Sequence, residues 1–224
     1  MSLTWSPGPA TAAVGARTAD VWRVHLPVLP GVVDRSLLAS ARRSVLARYV
    51  GGVPAALSFE TSCRLCGDER HGKPRLLDDP QLDFNSSRSG PWALVAVTRG
   101  AVVGVDVEGV ERMACWDEIA AVAMADIERR RLAEIGRDLQ PAAAARSWTC
   151  KEAVAKAAGW GLAADLRAIV GTRGGAGEPV LEAVPPGWGQ ASSWTLFDAD
   201  PGLGHPGTVA LGATDAVLRA WDLT

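Results

Sequence analysis

The chain has 224 residues, of which 48% are hydrophobic and 21% charged, and its formal net charge at pH 7 is −2. This length and composition are typical of a globular protein with a sizeable buried core, and the small net charge argues against a nucleic-acid or membrane-surface binder. No apolar run reaches the roughly 18 residues that a membrane-spanning helix needs.

The first half of the chain predicts strands and one long helix. Residues 1–18 are rich in small residues and Pro and predict a loose N-terminal tail. Residues 21–29 alternate like a strand, and residues 34–51 carry apolar residues at helical spacing before a terminal Gly. A short strand at ALSFET and a long loop follow. The run WALVAVTRGAVVGVDVEGV then predicts two strands around a tight turn at Arg99 and Gly100.

The second half predicts helices followed by strands. Residues 112–146 are mainly helical in pattern and lead into the helix SWTCKEAVAKAAGWGL at 147–162. Five short strands separated by Gly and Pro follow, at AIVGTR, PVLEAV, SWTLFDA, TVALGAT and VLRAWDL. Both halves combine helices with several strands, so the sequence predicts an α+β fold.

The helix at 147–162 is almost apolar, yet it carries Lys151, Glu152 and Lys156. At 3.6 residues per turn, Glu152 and Lys156 lie along one side, with Lys151 beside them. An exposed Glu-to-Lys pair would explain two of these charges but not the second Lys, because a buried charge is costly unless it is paired or binds a ligand. Lys is also rare in this chain, at three residues against 20 Arg, which favours a specific role for each.

Two other segments carry groups suited to a metal and a phosphate. In GVDVE, Asp106 and Glu108 lie on the same face of a predicted strand, and such a carboxylate pair suits Mg²⁺; the alternative is a solvated strand face. In HGKP, Pro74 holds Lys73 in an extended conformation. The hydroxyl cluster FNSSRSG, with Arg88, either binds phosphate or is ordinary turn chemistry. Together the segments predict a magnesium-dependent reaction on a phosphate ester or anhydride.

The motifs GKP, FNSSRSG, GVDVE and WTCKEAVAKAAGWGL occur in an order and spacing that resemble the 4′-phosphopantetheinyl transferases of the surfactin-synthetase-activating type. The resemblance implies two similar α/β halves with pseudo-twofold symmetry, at 19–110 and 111–224, and a coenzyme A and metal site in the cleft between them. It implies transfer of phosphopantetheine from coenzyme A to a serine of an apo acyl or peptidyl carrier protein, as in polyketide and nonribosomal peptide biosynthesis.

The resemblance also implies roles for individual residues. Asp106, Glu108 and Glu152 would hold Mg²⁺, or Mn²⁺ in its place. Glu152 would also act as the general base, and Lys156 would stabilise the leaving phosphate. Further contacts to coenzyme A would come from Lys73, Ser87, Arg88, Lys151, Arg35 and Ser36, and Glu128 falls where the family often has another acidic residue near the metal.

Two departures from the family pattern leave alternatives open. Arg88 stands where the family usually has His, and the basic segment before the first long helix is mostly absent. The 3′-phosphate of coenzyme A would therefore be held less strongly, or by Arg42 or Arg43 instead. One alternative is therefore a coenzyme A-binding or carrier-binding homologue without activity. Another is a metal-dependent nuclease, against which the acidic net charge speaks.

The cysteines predict a reduced, cytoplasmic protein, because the four thiols at 63, 66, 115 and 150 are too few for a disulfide scaffold. Cys63 and Cys66, with His71, would supply three of the four ligands of a zinc site; unmetallated thiols in a loop are the alternative. We expect a monomer that binds neither nucleic acid nor membrane.

Overall fold

The computed structural model describes residues 3–28, 35–63, 66–69, 72–113, 115–175 and 177–223, without the side chains of Arg35 and Leu162. The strands in these ranges are β1 (Ser6–Pro7), β2 (Thr18–His25), β3 (Phe59–Glu60), β4 (Arg75–Leu76), β5 (Leu82–Ser89), β6 (Trp92–Arg99), β7 (Val103–Val107), β8 (Val170–Arg173), β9 (Pro179–Ala183), β10 (Thr195–Asp198), β11 (Gly207–Leu211) and β12 (Val217–Asp222). The α-helices are α1 (Arg35–Val50), α2 (Trp116–Ala123), α3 (Asp126–Ala133) and α4 (Gln140–Ala158).

Two main sheets share one connectivity. In the first, β2 pairs with β6 and β6 with β5, all antiparallel. In the second, β7 pairs with β11 and β11 with β10, again antiparallel. Each half therefore runs from a first strand, through a long helix, to a hairpin whose second strand returns beside the first. The predicted α+β fold is confirmed, and the repeated connectivity agrees with two similar halves.

Helix α1 forms where the apolar spacing predicted it. Val45 and Leu46 are fully buried with Trp22 in the core of the first sheet. Gly51 follows the helix with φ +70°, and its N–H donates to the Ala47 carbonyl at 2.9 Å. This left-handed position is one that Gly adopts without strain, so it ends the helix.

Strand β5 joins the two sheets through its side chains. Asp83 accepts a hydrogen bond from Val103 N at 2.6 Å, and Asn85 accepts one from Val105 N at 3.2 Å. Ser89 Oγ accepts one from the backbone N–H of Gly109 at 2.9 Å. Alternate polar side chains of β5 thus take the place of backbone partners along the edge of β7.

One of the two interpretations of FNSSRSG was wrong, because residues 84–89 belong to strand β5 rather than to an ordinary turn. The other interpretation, that this segment contacts a phosphate, stays a prediction. The strand lacks the usual apolar alternation because its polar residues face a neighbouring backbone rather than water.

The predicted hairpin around Arg99 and Gly100 is not formed. Strand β6 pairs with β2 and β5, whereas β7 pairs with β11 in the other sheet. The chain passes from the first sheet to the second between Arg99 and Val103, and the boundary of the halves at residue 110 stays a prediction. The tight turn was read correctly, but a turn does not decide whether the strands that flank it pair with each other.

The N-terminal residues are also placed differently from the loose tail that was predicted. Strand β1 pairs in parallel with β12, and Trp5 Nε1 donates to the Asp200 carbonyl at 3.2 Å. Strand β12 itself crosses from the second half to pair in parallel with β2. All five predicted C-terminal strands are present, as β8 to β12.

Candidate active site

The site is built where α4 crosses β7. Gly104 has no side chain to separate them: a Cβ there would stand 1.9 Å from the Ala153 carbonyl oxygen and 2.5 Å from Ala157 N. This close approach brings the charged side of α4 against Asp106, two residues further along the strand. Val105 and its neighbours on the opposite face lie in an apolar cluster, which confirms the predicted alternation of β7.

Asp106 is the centre of a buried polar cluster. Its Oδ1 accepts hydrogen bonds from Ser87 Oγ at 2.7 Å and from Lys156 Nζ at 2.5 Å. Lys156 Nζ also lies 3.3 Å from Ser87 Oγ, so strands β5 and β7 and helix α4 meet at one carboxylate. The second oxygen, Asp106 Oδ2, is buried and has no hydrogen-bond partner within the described residues.

Glu152 lies beside this cluster and is only 4% exposed. Burial raises its pKa to about 7; Lys156 opposes this shift, and Asp106 and Glu108 add to it. Its Oε1 is buried without a hydrogen-bond partner in the part of the chain that the structure describes. A carboxyl group with a pKa near neutrality and an unpartnered oxygen is suited to accept a proton.

Lys156 keeps its positive charge at neutral pH. Burial acts to lower the pKa of its ammonium group, but Asp106, with smaller contributions from Glu152 and Glu108, raises it above the ordinary value. About a quarter of the side chain is exposed. Lys156 therefore offers a permanent cation to a bound anion.

Glu108 completes the acidic group at the end of β7. Its Oε2 accepts from Ser89 Oγ at 3.1 Å and from Arg112 Nη1 at 3.4 Å. Burial, with Asp106 second, raises its pKa, while Arg112 lowers it. The pKa values of Glu108 and Glu152 are thus both raised by the charge of Asp106, so the three carboxylates repel one another.

The acidic group offers a metal ion carboxylate oxygens but no ready-made cage. Among the described residues, no group of three or more His, Cys, Asp or Glu side chains is placed so that it could hold a metal ion as it stands. One oxygen each of Asp106 and Glu152 is nevertheless free of hydrogen bonds among the described residues, and carboxylate oxygens are the ligands that Mg²⁺ prefers. A divalent cation bound there would also reduce the repulsion between the two negative charges. The residues present therefore fit Mg²⁺ in chemistry.

A cleft of about 740 Å³ opens beside the cluster. Arg42 of α1 and Lys73 line it from the first half, and Lys156 and Trp160 line it from the end of α4. The Trp160 ring stacks on Trp188 at a centroid distance of 6.4 Å. A cleft of this size with cationic and aromatic walls can hold a nucleotide-sized anion.

Lys73 is engaged at the junction of the halves. Its ammonium pairs with Asp83 and donates to the carbonyls of Val103 at 2.9 Å and Ala157 at 3.3 Å. It lines the cleft from this position, so its charge faces the cleft while its hydrogen bonds hold β5, β7 and α4 together.

Other residues predicted to contact a phosphate are further from the cluster. Arg88 donates to the carbonyls of Pro27 at 2.9 Å and Gly90 at 3.2 Å, and as the next residue along β5 it lies on the opposite face from Ser87. Arg35 is the first residue of α1, and Ser36 follows it with an exposed side chain.

The structure does not bring Lys151 to the site. Its side chain is fully buried, and its ammonium lies 2.5 Å from Glu128 Oε2 on another side of α4. The predictions that Lys151 contacts a phosphate and that Glu128 lies near the metal therefore do not match the geometry. The sequence pattern placed Lys151 beside Glu152 but held no information on α3, which faces it.

Cys63 and Cys66 line the same cleft as Lys156. His71, the third predicted zinc ligand, lies outside the described residues. Cys150 is buried, and its burial raises the pKa of the thiol to about 12, so it is an unreactive core residue.

Two features of the site were missed from the sequence. Gly104 sets the distance between α4 and β7, and an isolated Gly inside a Val-rich strand was the signal for such a close approach. Trp160 lines the cleft, and nothing in its sequence context separated it from the core tryptophans.

Comparison with known proteins supports the motifs. The family profile described as "4'-phosphopantetheinyl transferase superfamily" matches residues 102–198, which contain β7 and α4. An L-aminoadipate-semialdehyde dehydrogenase-phosphopantetheinyl transferase from Eremothecium gossypii is 37% identical over 125 residues, which cover 53% of this chain and 42% of that protein. The 4'-phosphopantetheinyl transferase HetI from Nostoc is 27% identical over 188 residues, covering 71% of this chain and 76% of that protein.

Residues 102–198 are therefore similar to the 4′-phosphopantetheinyl transferase superfamily, and the chain spans less than half the length of the Eremothecium relative. A holo-(acyl-carrier-protein) synthase from Bacillus anthracis, solved in complex with CoA (3',5'-ADP), superposes with a TM-score of 0.44 at 16% identity, over 51% of this chain and 96% of that one. Within the described residues, none of the helices has the length and apolar character needed to span a bilayer.

Proposed function

We propose that this protein transfers the 4′-phosphopantetheine arm of coenzyme A to a serine of an apo acyl or peptidyl carrier protein. The observation that carries the proposal is the cluster of the buried carboxyl groups of Asp106 and Glu152 with the partly exposed Lys156, at the edge of a cationic cleft. It lies in the segment that matches the superfamily. The products are the holo carrier protein and adenosine 3′,5′-bisphosphate.

Lys156 binds the diphosphate of coenzyme A, and Lys73, whose ammonium already has three acceptors, adds only its positive charge to the cleft wall. In the reaction, the carrier serine oxygen bonds to the phosphorus next to pantetheine, and the bond from that phosphorus to the bridging oxygen breaks. Negative charge develops on the adenosine-side phosphate as it leaves. A lysine that keeps its charge in a buried site stabilises that charge more strongly than it would in water.

Glu152 takes the proton of the serine hydroxyl. Its pKa of about 7 leaves a substantial fraction ionised at neutral pH, and its Oε1 has no competing partner among the described residues. A serine hydroxyl is a weak nucleophile, so a positioned base adds to the rate.

Asp106, Glu108 and Glu152 would hold Mg²⁺, with Mn²⁺ as a substitute. When bound, the ion neutralises the diphosphate and the repulsion between the three carboxylates. Ser87 then keeps Asp106 oriented through its hydrogen bond to Oδ1.

The chain itself supports a monomer of the surfactin-synthetase-activating type. Both sheets come from one polypeptide, and the cleft is lined by residues of both halves, so a second copy is not needed to complete it. We place the protein in the cytoplasm, where coenzyme A and carrier proteins occur, and in polyketide or nonribosomal peptide biosynthesis.

The test is incubation of purified protein with coenzyme A, Mg²⁺ and a panel of apo acyl and peptidyl carrier proteins, followed by mass spectrometry. We expect a gain of one phosphopantetheine on the carrier serine. Calorimetric binding of coenzyme A without a mass gain on any carrier would instead support the inactive homologue, and cleavage of DNA would support the nuclease.

A further inference from the structure

We propose that the buried ion pair between Lys151 and Glu128 fixes the register of α4, and thereby sets Glu152 and Lys156 against Asp106. Lys151 and Glu128 are then positioning residues rather than ligands of coenzyme A or of the metal. The catalytic consequence rests on the function proposed above, but the register itself can be tested without it.

The pair is closed off from solvent and saturated with hydrogen bonds. Lys151 Nζ lies 2.5 Å from Glu128 Oε2, and the two side chains are 0% and 4% exposed. The same ammonium donates to the carbonyls of Leu166, at 3.0 Å, and Ile169. All three of its donors are therefore used, and none remains for a phosphate.

The carboxylate of Glu128 also accepts hydrogen bonds from three groups other than Lys151. Its Oε2 accepts from Ala125 N at 2.9 Å, and its Oε1 accepts from Ser147 Oγ and Gly171 N, each at 3.3 Å. The pair therefore ties α4 to the start of α3 and to the segment that enters β8.

Helix α4 needs such a tie because its packing surface is smooth. It meets β7 through Ala153 and Ala157 against Gly104, residues too small to form deep ridges and grooves. A shift of α4 along β7 would move Ala153 and Ala157 off Gly104, and it would also leave a buried ammonium and a buried carboxylate unpaired. A buried polar pair that penalises wrong registers is a recognised use of such groups.

The orientation of the site follows directly. Lys151 and Glu152 are consecutive in the helix, so their side chains point about 100° apart around its axis. With Lys151 fixed on Glu128, Glu152 is directed to the Asp106 side, and Lys156, one turn later, lies on Asp106.

The experiment compares Lys151→Met, Glu128→Gln and the double variant Lys151→Met/Glu128→Leu with the wild type. Arg131→Met is the matched control, since Arg131 is on α3 as well but forms an exposed pair with Glu182. Measurements are urea unfolding, hydrogen exchange of the α4 amides, coenzyme A affinity at several salt concentrations, and kcat and KM for transfer.

We expect both single variants to lose stability and at least about tenfold in kcat, since small misplacements of catalytic groups are costly. The double variant should regain part of the lost stability, because no buried charge is left unpaired. The carbonyls of Leu166 and Ile169 and the donors that faced Glu128 still lose their partners, so recovery should be incomplete. Its kcat should nevertheless stay low and its α4 amides should exchange faster than in the wild type. The salt dependence of coenzyme A binding should match the wild type in all of them but fall in Lys156→Met.

Two outcomes would overturn the proposal. If the double variant regains kcat and α4 protection together with stability, the pair is only a structural support. If Lys151→Met weakens coenzyme A binding and its salt dependence as Lys156→Met does, Lys151 is a phosphate ligand. A wild type that transfers nothing refutes the proposed function instead, and the hydrogen-exchange comparison still tests the register.

Discussion

The two charged sides of α4 differ in how far their polar atoms are satisfied. On the side of Glu128, the Lys151 ammonium has three acceptors and both carboxylate oxygens have donors. On the side of Asp106, one oxygen each of Asp106 and Glu152 is buried with no hydrogen-bond partner among the described residues. Both sides belong to one helix, but Lys151 is 0% exposed whereas about a quarter of the Lys156 side chain is exposed.

The difference separates a structural role from a functional one. Leaving a buried polar atom unpaired costs about 1–3 kcal/mol, so a fold retains such atoms where a ligand or substrate completes them. In the sequence, Lys151 and Lys156 are both lysines of the same apolar helix and cannot be told apart by charge. In the structure, only Lys156 of the two lines the cleft.

The largest effect should come from removing the unsatisfied carboxylates. Asp106→Ala and Glu152→Gln should each lower transfer of labelled coenzyme A to an apo carrier by about a thousandfold or more, because each removes a group that acts on the reacting centre. Circular dichroism should show that both variants remain folded. Full activity in either one would remove the proposed mechanism.

Removal of divalent metal should have a comparable effect on the wild type. EDTA should abolish transfer, and added Mg²⁺ or Mn²⁺ should restore it. As a readout apart from activity, Mg²⁺ should raise the melting temperature of the wild type but raise that of Glu152→Gln less. Undiminished turnover in EDTA would contradict the assignment of the acids to a metal.

Gly104→Ala should damage the site by moving both charged sides of α4 away from β7. The new Cβ would lie 1.9 Å from the Ala153 carbonyl oxygen, so the helix must shift. We expect a loss of about 1–3 kcal/mol in the free energy of unfolding, and a larger fractional loss of transfer activity. Gly136→Ala, outside β7 and α4, is a control; equal losses in the two variants would argue against a special contact at Gly104.

The pKa of Glu152 gives a pH-dependent effect on stability. Because burial raises it from 4.5 to about 7, the folded state holds this proton more tightly than the unfolded state. The metal-free protein should therefore lose up to about 3 kcal/mol of stability from this group as pH rises through that range. Glu152→Gln should be more stable than the wild type at about pH 8 and similar to it below about pH 4.5, as measured by urea unfolding in EDTA. A constant difference across pH would show that the carboxyl titrates normally.

The smallest effect is expected for the exposed pair of Arg131 and Glu182. Both side chains are more than a third exposed, so solvent screens their attraction. Arg131→Ala should change the free energy of unfolding by less than about 1 kcal/mol and leave transfer unchanged. A large loss of stability in Arg131→Ala would contradict this comparison. It would mean that the burial and hydrogen bonding of an ion pair do not indicate how much the pair stabilises the fold.

Several parts of the fold were accessible from the sequence because they depend on local chemistry. Apolar spacing and a terminal Gly predicted α1, and Gly- and Pro-bounded runs predicted the five C-terminal strands. Strand β5 could not be predicted from its own sequence, because its polar side chains accept hydrogen bonds from the backbone of β7. Strand β7 belongs to the other sheet, and the sequence pattern does not show that the two strands lie side by side. The same limit explains why β6 and β7 were expected to form a hairpin.

By itself, the sequence determined the alternation that puts Asp106 on one face of β7 and the helical spacing that puts Glu152 and Lys156 on one side of α4. These follow from the periods of strands and helices, which are properties of the backbone. Only the tertiary structure decided that Lys156 faces Asp106 while Lys151 faces Glu128, because the burial and pairing of a charge depend on which other elements pack around it.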